Sequence, residues 1–379
     1  MGAFQNCFLY SYSHPKAIAR TTHNLKLWVS PICSYTMNLS ASLQPRRDLN
    51  IMMTKTISRT GIIGLILYSA FVGAQPAPSS TTIFDGLKIT LCGTSSPLPA
   101  PGRAQACVAV ETPDHLYIVD AGSGSAATAQ LSGIPLEKMR GILLTHYHSD
   151  HISDIGDFNL NSWVAGRPAS LQIIGPEGVN RIVEGLNITY ELDRGYRVAH
   201  HGAELLNPEL GILQSRTIGE GVIWDEDGLR ITAFEVSHPP IEPAFGYRLD
   251  YGGRSVVISG DSLVTDKIVE ISDGADVVLH DAMALQLVQG AEAMSRGAGN
   301  TRLATVLHDI QDYHATTADL ARLTAEAAIG QLALYHLVPA PRNAMAIAAF
   351  NGGLPDGALI TEDGMMISLP ANSKEISVD

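Results

Sequence analysis

Charge is sparse in this 379-residue chain: Asp, Glu, Lys and Arg make up 17% of it, and aromatic residues only 6%. Basic side chains are the scarcer sign, 25 against 38 acidic ones, for a formal charge of −13. Seven of those basic residues but only one acidic residue, Asp48, fall within the first 74 positions, so the remainder carries a net −19. A surface of that sign repels polyanions, because phosphate binding draws on clustered Lys and Arg. The composition therefore argues against a nucleic-acid partner. Cysteine is rare too, four residues in all, and none has the paired spacing of a thiolate zinc site. No segment repeats at the period of a solenoid or propeller unit. At 45% hydrophobic residues the chain is too apolar for intrinsic disorder and long enough for one large domain.

One long apolar run occurs, residues 61–71, and it is too short to span a bilayer comfortably. Lys55 and Arg59 precede it and Val72-Gly73-Ala74 follows, the layout of an export signal with small residues at the cleavage site. Residues 52–74 are read as a signal peptide, and 1–51, which show no helix or strand period, as an upstream extension foreign to the native protein. The mature chain would begin near Gln75, free of the membrane, in the periplasm or outside the cell. A Pro/Ser linker (75–86) leads into a domain over 87–370, with a tail at 371–379. Cys92 and Cys107 remain in that domain, in two apolar extended runs. They could bridge in an oxidising compartment or stay as two buried thiols.

From residue 87 the pattern is short runs rich in Val, Ile, Leu and Tyr, bounded by turn residues. Strands are predicted at 88–93, 106–111, 116–120, 141–145, 171–174, 229–236, 245–250, 255–259, 276–279, 332–335 and 365–369. Asp250-Tyr251-Gly252-Gly253 signals a hairpin, and 317–329 a helix capped by Thr316 or Thr317. Residues 185–219, with many Tyr, Arg and His, break the strand rhythm and read as an insertion over one end of the sheets.

The chemistry concentrates in Thr145-His146-Tyr147-His148-Ser149-Asp150-His151, directly after the apolar run 141–144. In extended chain His146 and His148, two apart, point the same way and can reach one metal. Asp150 and His151 follow where the chain turns toward a helix, aimed at a second metal beside the first. His238, Asp261 and His336 each stand where another apolar strand gives out, and strand ends gather at one sheet edge. A lone histidine in such a run is usually a core residue; several at successive strand ends make a metal site.

The string at 145–151, with His238, Gly260-Asp261 and His336, resembles the metallo-β-lactamase superfamily, and the likeness runs from about residue 87 to 369. Within it the chain is most similar to the ribonuclease Z and arylsulfatase-like branch, through Cys92-Gly93-Thr94-Ser95-Ser96-Pro97, Gly175-Pro176-Glu177-Gly178, Gly246-Tyr247-Arg248, Leu279-His280-Asp281-Ala282 and His314-Ala315-Thr316. The resemblance implies an α/β fold, the four-layer αββα sandwich, with two divalent metal ions, zinc by default, in a cleft at the sheet edge. It implies that His146, His148 and His238 bind one metal, that Asp150, His151 and His336 bind the other, and that Asp261 bridges them. It further implies that His314 protonates the leaving group and Asp281 orients that imidazole, with Asp150 also in the catalytic set. His280 is read as structural. Two departures stand out. The branch carries Glu where this chain has Asp281, and its tRNA processors carry a long basic arm between positions that here, His238 and Asp261, lie only 23 residues apart.

The expectation is thus a hydrolase of small sulfate or phosphate esters, with the 185–219 segment and Trp163 walling the substrate pocket, though Trp163 reads equally well as a packing residue. The alternatives are a ribonuclease Z-like nuclease, a β-lactam or lactone hydrolase, and a metal-binding protein without turnover. The resemblance also suggests a homodimer, which no helix face in the sequence decides.

Overall fold

The computed structural model describes residues 84–379; the expectations for 1–51, for the signal segment 52–74 and for all but the last three residues of the 75–86 linker lie outside the described residues. The first sheet takes β1 (Gly86–Gly93), β2 (Cys107–Glu111), β3 (Leu116–Val119), β4 (Met139–Leu143), β5 (Gln172–Gly175) and β6 (Gln214–Thr217). The second takes β7 (Gly221–Glu226), β8 (Leu229–His238), β9 (Ile241–Tyr251), β10 (Arg254–Ile258), β11 (Val277–Met283), β12 (Gln331–Val338) and β13 (Leu359–Ile360). The chain then returns to the first sheet through β14 (Met366–Pro370) and β15 (Ser377–Val378). The spatial orders are β15-β14-β1-β2-β3-β4-β5-β6 and β13-β12-β11-β10-β9-β8-β7, mixed parallel and antiparallel.

Strand periodicity sorts side chains into layers. In β3, Tyr117 and Val119 enter the core between the sheets, while Leu116 and Ile118 face outward. In β12, Ala333 and Tyr335 point between the sheets and Leu332 and Leu334 to the other side. Both faces of these strands are covered, so they read as continuous apolar runs rather than alternating ones. Against the first sheet pack α1 (Ser125–Leu131), α3 (Ile155–Val164) and α4 (Val179–Thr189), through Ala126, Phe158 and Val183. The one-turn α2 (Ser149–Ile152) precedes α3, and α5 (Glu191–His201) follows α4. Against the second sheet pack α6 (Asp266–Ser272), α9 (Thr317–Glu326) and α10 (Ala344–Asn351), through Ile268, Leu320, Leu323 and Phe350. A helical pair, α7 (Leu285–Gly297) and α8 (Thr301–Asp309), follows β11. The four layers are α, β, β, α, as the resemblance implied.

The sequence-predicted strands all form, with ends displaced by a few residues. The predicted helix stops at Glu326 and begins on Thr316, whose hydroxyl accepts from the Asp319 amide while the Asp319 carboxylate accepts from the Thr316 amide. Segment 185–219 is less of an insertion than expected. Its first half is the end of α4 and the whole of α5, and its second half supplies β6, an exposed strand at the edge of the first sheet. Cys92 and Cys107 form a disulfide between β1 and β2, with Cα atoms 4.9 Å apart, which resolves the two readings of that pair.

Gly246 shows how tightly the second sheet closes on its outer layer. A Cβ there would lie 2.4 Å from the Phe234 ring and 2.9 Å from the Ile258 carbonyl oxygen. Gly246→Ala is expected to destabilise the protein by about 1–3 kcal/mol, the cost of overpacking a filled core. Urea unfolding checks this as a lowered midpoint with an unchanged slope.

Candidate metal centre and active site

Six strands deliver the site residues to one edge. After β4 the chain runs extended through Thr145 to His148, and His146 Nε2 comes within 2.9 Å of His148 Nδ1. From the end of β8, His238 Nε2 reaches within 3.4 Å of the same His148 nitrogen. The chain next turns into α2, which carries the buried Asp150 and His151 inward. Asp150 Oδ2 lies 3.1 Å from Nε2 of His336 and 3.6 Å from Nε2 of His151. Asp261, just past β10, stands between the two groups. Its Oδ2 is 3.3 Å from His151 and 3.9 Å from His146, and its Oδ1 is 3.3 Å from His336 Nδ1. Donor atoms of His146, His148, His238 and Asp261 all fall within 4.8 Å of one another, as do those of Asp150, His151 and His336. The seven residues singled out in the sequence are thus brought together, in the two groups expected.

Backbone conformation has a part in this convergence. Gly260 has φ 67°, and a Cβ there would come within 2.9 Å of the Phe245 carbonyl oxygen and of the Thr145 side chain. Only glycine lets the chain leave β10 at that angle and aim Asp261 inward. His336 has φ 43° at the point where the β11–β12 register slips. A non-glycine residue in that region carries strain, of the kind that collects at functional sites.

The donor set fits divalent cations. His151 Nε2, His336 Nδ1 and Asp261 Oδ1 are buried and lack any hydrogen-bond partner, a costly arrangement for polar atoms unless an ion engages them. Burial holds His146, His148 and His238 below the ordinary imidazole pKa, in the neutral form that donates a lone pair to a metal. Burial also works against charge on His151, but Asp261 and Asp120 outweigh it and raise its pKa well above the usual value. Burial likewise opposes ionisation of Asp261, yet His336 and His151 hold its carboxyl well below the normal range.

Sequence reasoning passed over Asp120. It lies at the end of β3 with φ 58°, fully buried, and grips both halves of the motif. Its Oδ1 accepts from the Thr145 amide at 2.9 Å, and its Oδ2 from the Thr145 hydroxyl at 2.9 Å and from His151 Nδ1 at 2.8 Å. This fixes the His151 ring with Nε2 aimed at the metal group. The signal available was an Asp closing an apolar strand, the feature that had marked Asp261.

His314 Nδ1 lies 2.9 Å from Asp281 Oδ2, so the shorter Asp side chain does span the gap. Asp281 Oδ1 meets the Ser262 amide at 3.2 Å and His280 Nδ1 at 2.9 Å, giving buried His280 the structural place expected of it. His314 also brings a ring nitrogen within 4.8 Å of donor atoms on Asp261 and His336. A cleft of about 270 Å³ opens above the metal group, lined by His148, Asp150, Asp261, His314 and an apolar wall. Trp163 is not part of it. Its ring is buried beside Gly211 and its Nε1 donates to the Asn207 carbonyl at 2.9 Å, so it anchors the 185–219 segment by packing.

Residues 115–337, more than half of the chain, match the beta-lactamase superfamily domain, and the chain belongs to the metallo-beta-lactamase superfamily. Within that superfamily it falls in the ribonuclease Z branch. Over 257 residues it is 34% identical to the Ribonuclease Z of Mycobacterium marinum and 35% identical to that of Mycobacterium bovis BCG, covering 67% of this chain and 87% of each relative. Among solved structures, a metallo-beta-lactamase fold protein of Bacillus subtilis is 19% identical with a TM-score of 0.53, over 75% of this chain and 100% of that one. Human short-form tRNase Z is also 19% identical, with a TM-score of 0.51 over 75% and 99%. At that identity the likeness concerns the fold. The chain is a metal-dependent hydrolase acting on ester bonds.

These relatives overturn two expectations. The first is a small sulfate or phosphate ester as substrate, since the relatives carry the name of a ribonuclease. The second is the exclusion of nucleic acid. Net charge sums the whole surface, whereas a substrate is met at one cleft, where cations on the His and Asp cluster would dominate the local field. The short His238–Asp261 interval stands as a fact of the chain, but it does not exclude RNA.

If Asp120 orients His151, Asp120→Asn should weaken metal binding roughly 10–100-fold, as loss of a carboxylate behind a ligating imidazole does. Competition with a chelator of known affinity measures it. Unchanged affinity would remove Asp120 from the site.

Proposed function

We propose that this chain is a phosphodiesterase of the ribonuclease Z type that cleaves precursor tRNA on the 3′ side. The carrying observation is the 34–35% identity to proteins named Ribonuclease Z across 87% of their length. The complete donor set supports it. His146, His148 and His238 would hold one cation and Asp150, His151 and His336 a second, with Asp261 within reach of both groups. Zinc suits imidazole and carboxylate ligands. Two such ions supply an acidified water and positive charge for the departing oxygen.

The protein's own groups do the rest. Asp281 accepts from His314 Nδ1 and orients the ring, leaving Nε2 to pass a proton to the leaving oxygen. Ser262 and His280 hold Asp281 from the other side, so the His314 ring cannot swing away from the cleft.

His314→Ala should retain the metals and lower turnover by roughly 10²–10⁴-fold. The loss should shrink on phosphodiesters with acidic leaving groups, which need no proton; an equal loss across leaving groups would assign His314 to structure. The function itself is tested with precursor tRNA carrying a 3′ trailer. Trailer release by the metal-loaded protein, abolished by chelator, is the expected result, and intact precursor under those conditions refutes the reading.

A further inference from the structure

The apolar wall of the cleft is unusual for a site that handles a polyanion. Among the described residues no Lys or Arg lines it. It is built from helix α8 and the 3-10 turn that continues it, where Leu303, Val306, Leu307 and Ile310 recur at the i, i+3, i+4, i+7 spacing of one helix face. Such a stripe ordinarily buries itself against a core. Here only its C-terminal half does so, with Leu307 and Ile310 packed around Met283, Val288 and Val338. Its N-terminal half is left open: Leu303 is 40% and Val306 51% exposed, opposite Leu98, itself 51% exposed on the loop after β1. Tyr313 joins the same lining, its ring 4.8 Å from that of His314.

We infer that Leu303 and Val306, with Leu98 and Tyr313, form a subsite for the nucleobase on the leaving side of the scissile phosphodiester. Leu98, Leu303 and Val306 offer a ribose or phosphate no polar partner, whereas the flat face of a base gains from apolar and aromatic contact whatever its identity. The side is set by His314. The proposed proton donor and Tyr313 are neighbours in sequence and share the wall with α8, so the group stacked there belongs to the nucleotide that receives the proton. Recognition through a base face needs no basic clamp, which accords with the scarcity of Lys and Arg. The inference rests on the phosphodiesterase reading and adds to it which part of the substrate the protein holds.

The test uses the metal-loaded full chain and two precursor tRNAs, one natural and one with an abasic residue at the leaving-side nucleotide. The wild type should process the abasic substrate roughly tenfold less efficiently, mainly through KM. A Leu303→Ser/Val306→Ser double variant, at positions already open to solvent, should lose roughly tenfold on the natural substrate, keep its metal content and show no further loss on the abasic one. Equal wild-type efficiency on both substrates, or an equal loss by the variant on both, would overturn the subsite and leave the nuclease reading standing. No cleavage of either by the wild type would sink the nuclease reading and the subsite with it.

Discussion

Buried polar atoms must be satisfied, and in this protein that requirement falls hardest on one cluster of imidazoles and carboxylates. Imidazole and carboxylate groups of His146, His148, Asp150, His151, His238, Asp261 and His336 crowd together, all but His148 buried, and His151 Nε2, His336 Nδ1 and Asp261 Oδ1 have no hydrogen-bond partner. The rest of the architecture can be traced to meeting that requirement with cations in place and holding the groups still until they arrive. The two sheets bring strand ends to one edge. Gly260 and the left-handed His336 bend the backbone into it, and Asp120 locks the motif from behind.

The same logic explains what could be seen in the sequence. Central strands covered on both faces leave uninterrupted apolar runs, so their existence was plain and only their ends drifted. Site residues were visible because they interrupt those runs at the strand ends, where a polar side chain has no packing purpose. Asp120 followed the same rule, but a single Asp after a strand looks like an ordinary turn residue, and nothing nearby distinguished it. Strand β6 was missed because all four of its residues are exposed, so no hydrophobic period marks it. Helix α5 has no buried residue and left no apolar signal either. Trp163 stood open between two readings because a large aromatic near a motif suits a pocket wall and a core equally; its indole is spent on packing and one hydrogen bond.

The failure over nucleic acid is of another kind. Charge counts describe long-range steering and solubility, and those quantities say little about a cleft whose positive charge would come from bound ions. Family likeness and overall charge pulled in different directions, and the likeness, spread over most of a relative's length, was the more local and more specific evidence. The cleft itself shows how both hold at once, with donor atoms for cations on one side and hydrocarbon on the other.

The sheet order carries a consequence for how the chain is made. β1 lies between β2 and β14, so one edge of the earliest strand waits for residues 366–370, and β15 adds to the sheet only after that. During synthesis from the N-terminus, β1 to β6 can assemble with that edge open while the entire second sheet is still emerging from the ribosome. Until β14 docks, β1 presents a row of unpaired amides and carbonyls along the edge that faces away from β2. The nascent domain therefore carries one strand edge open to exchange from the emergence of β1 until residues 366–370 cover it.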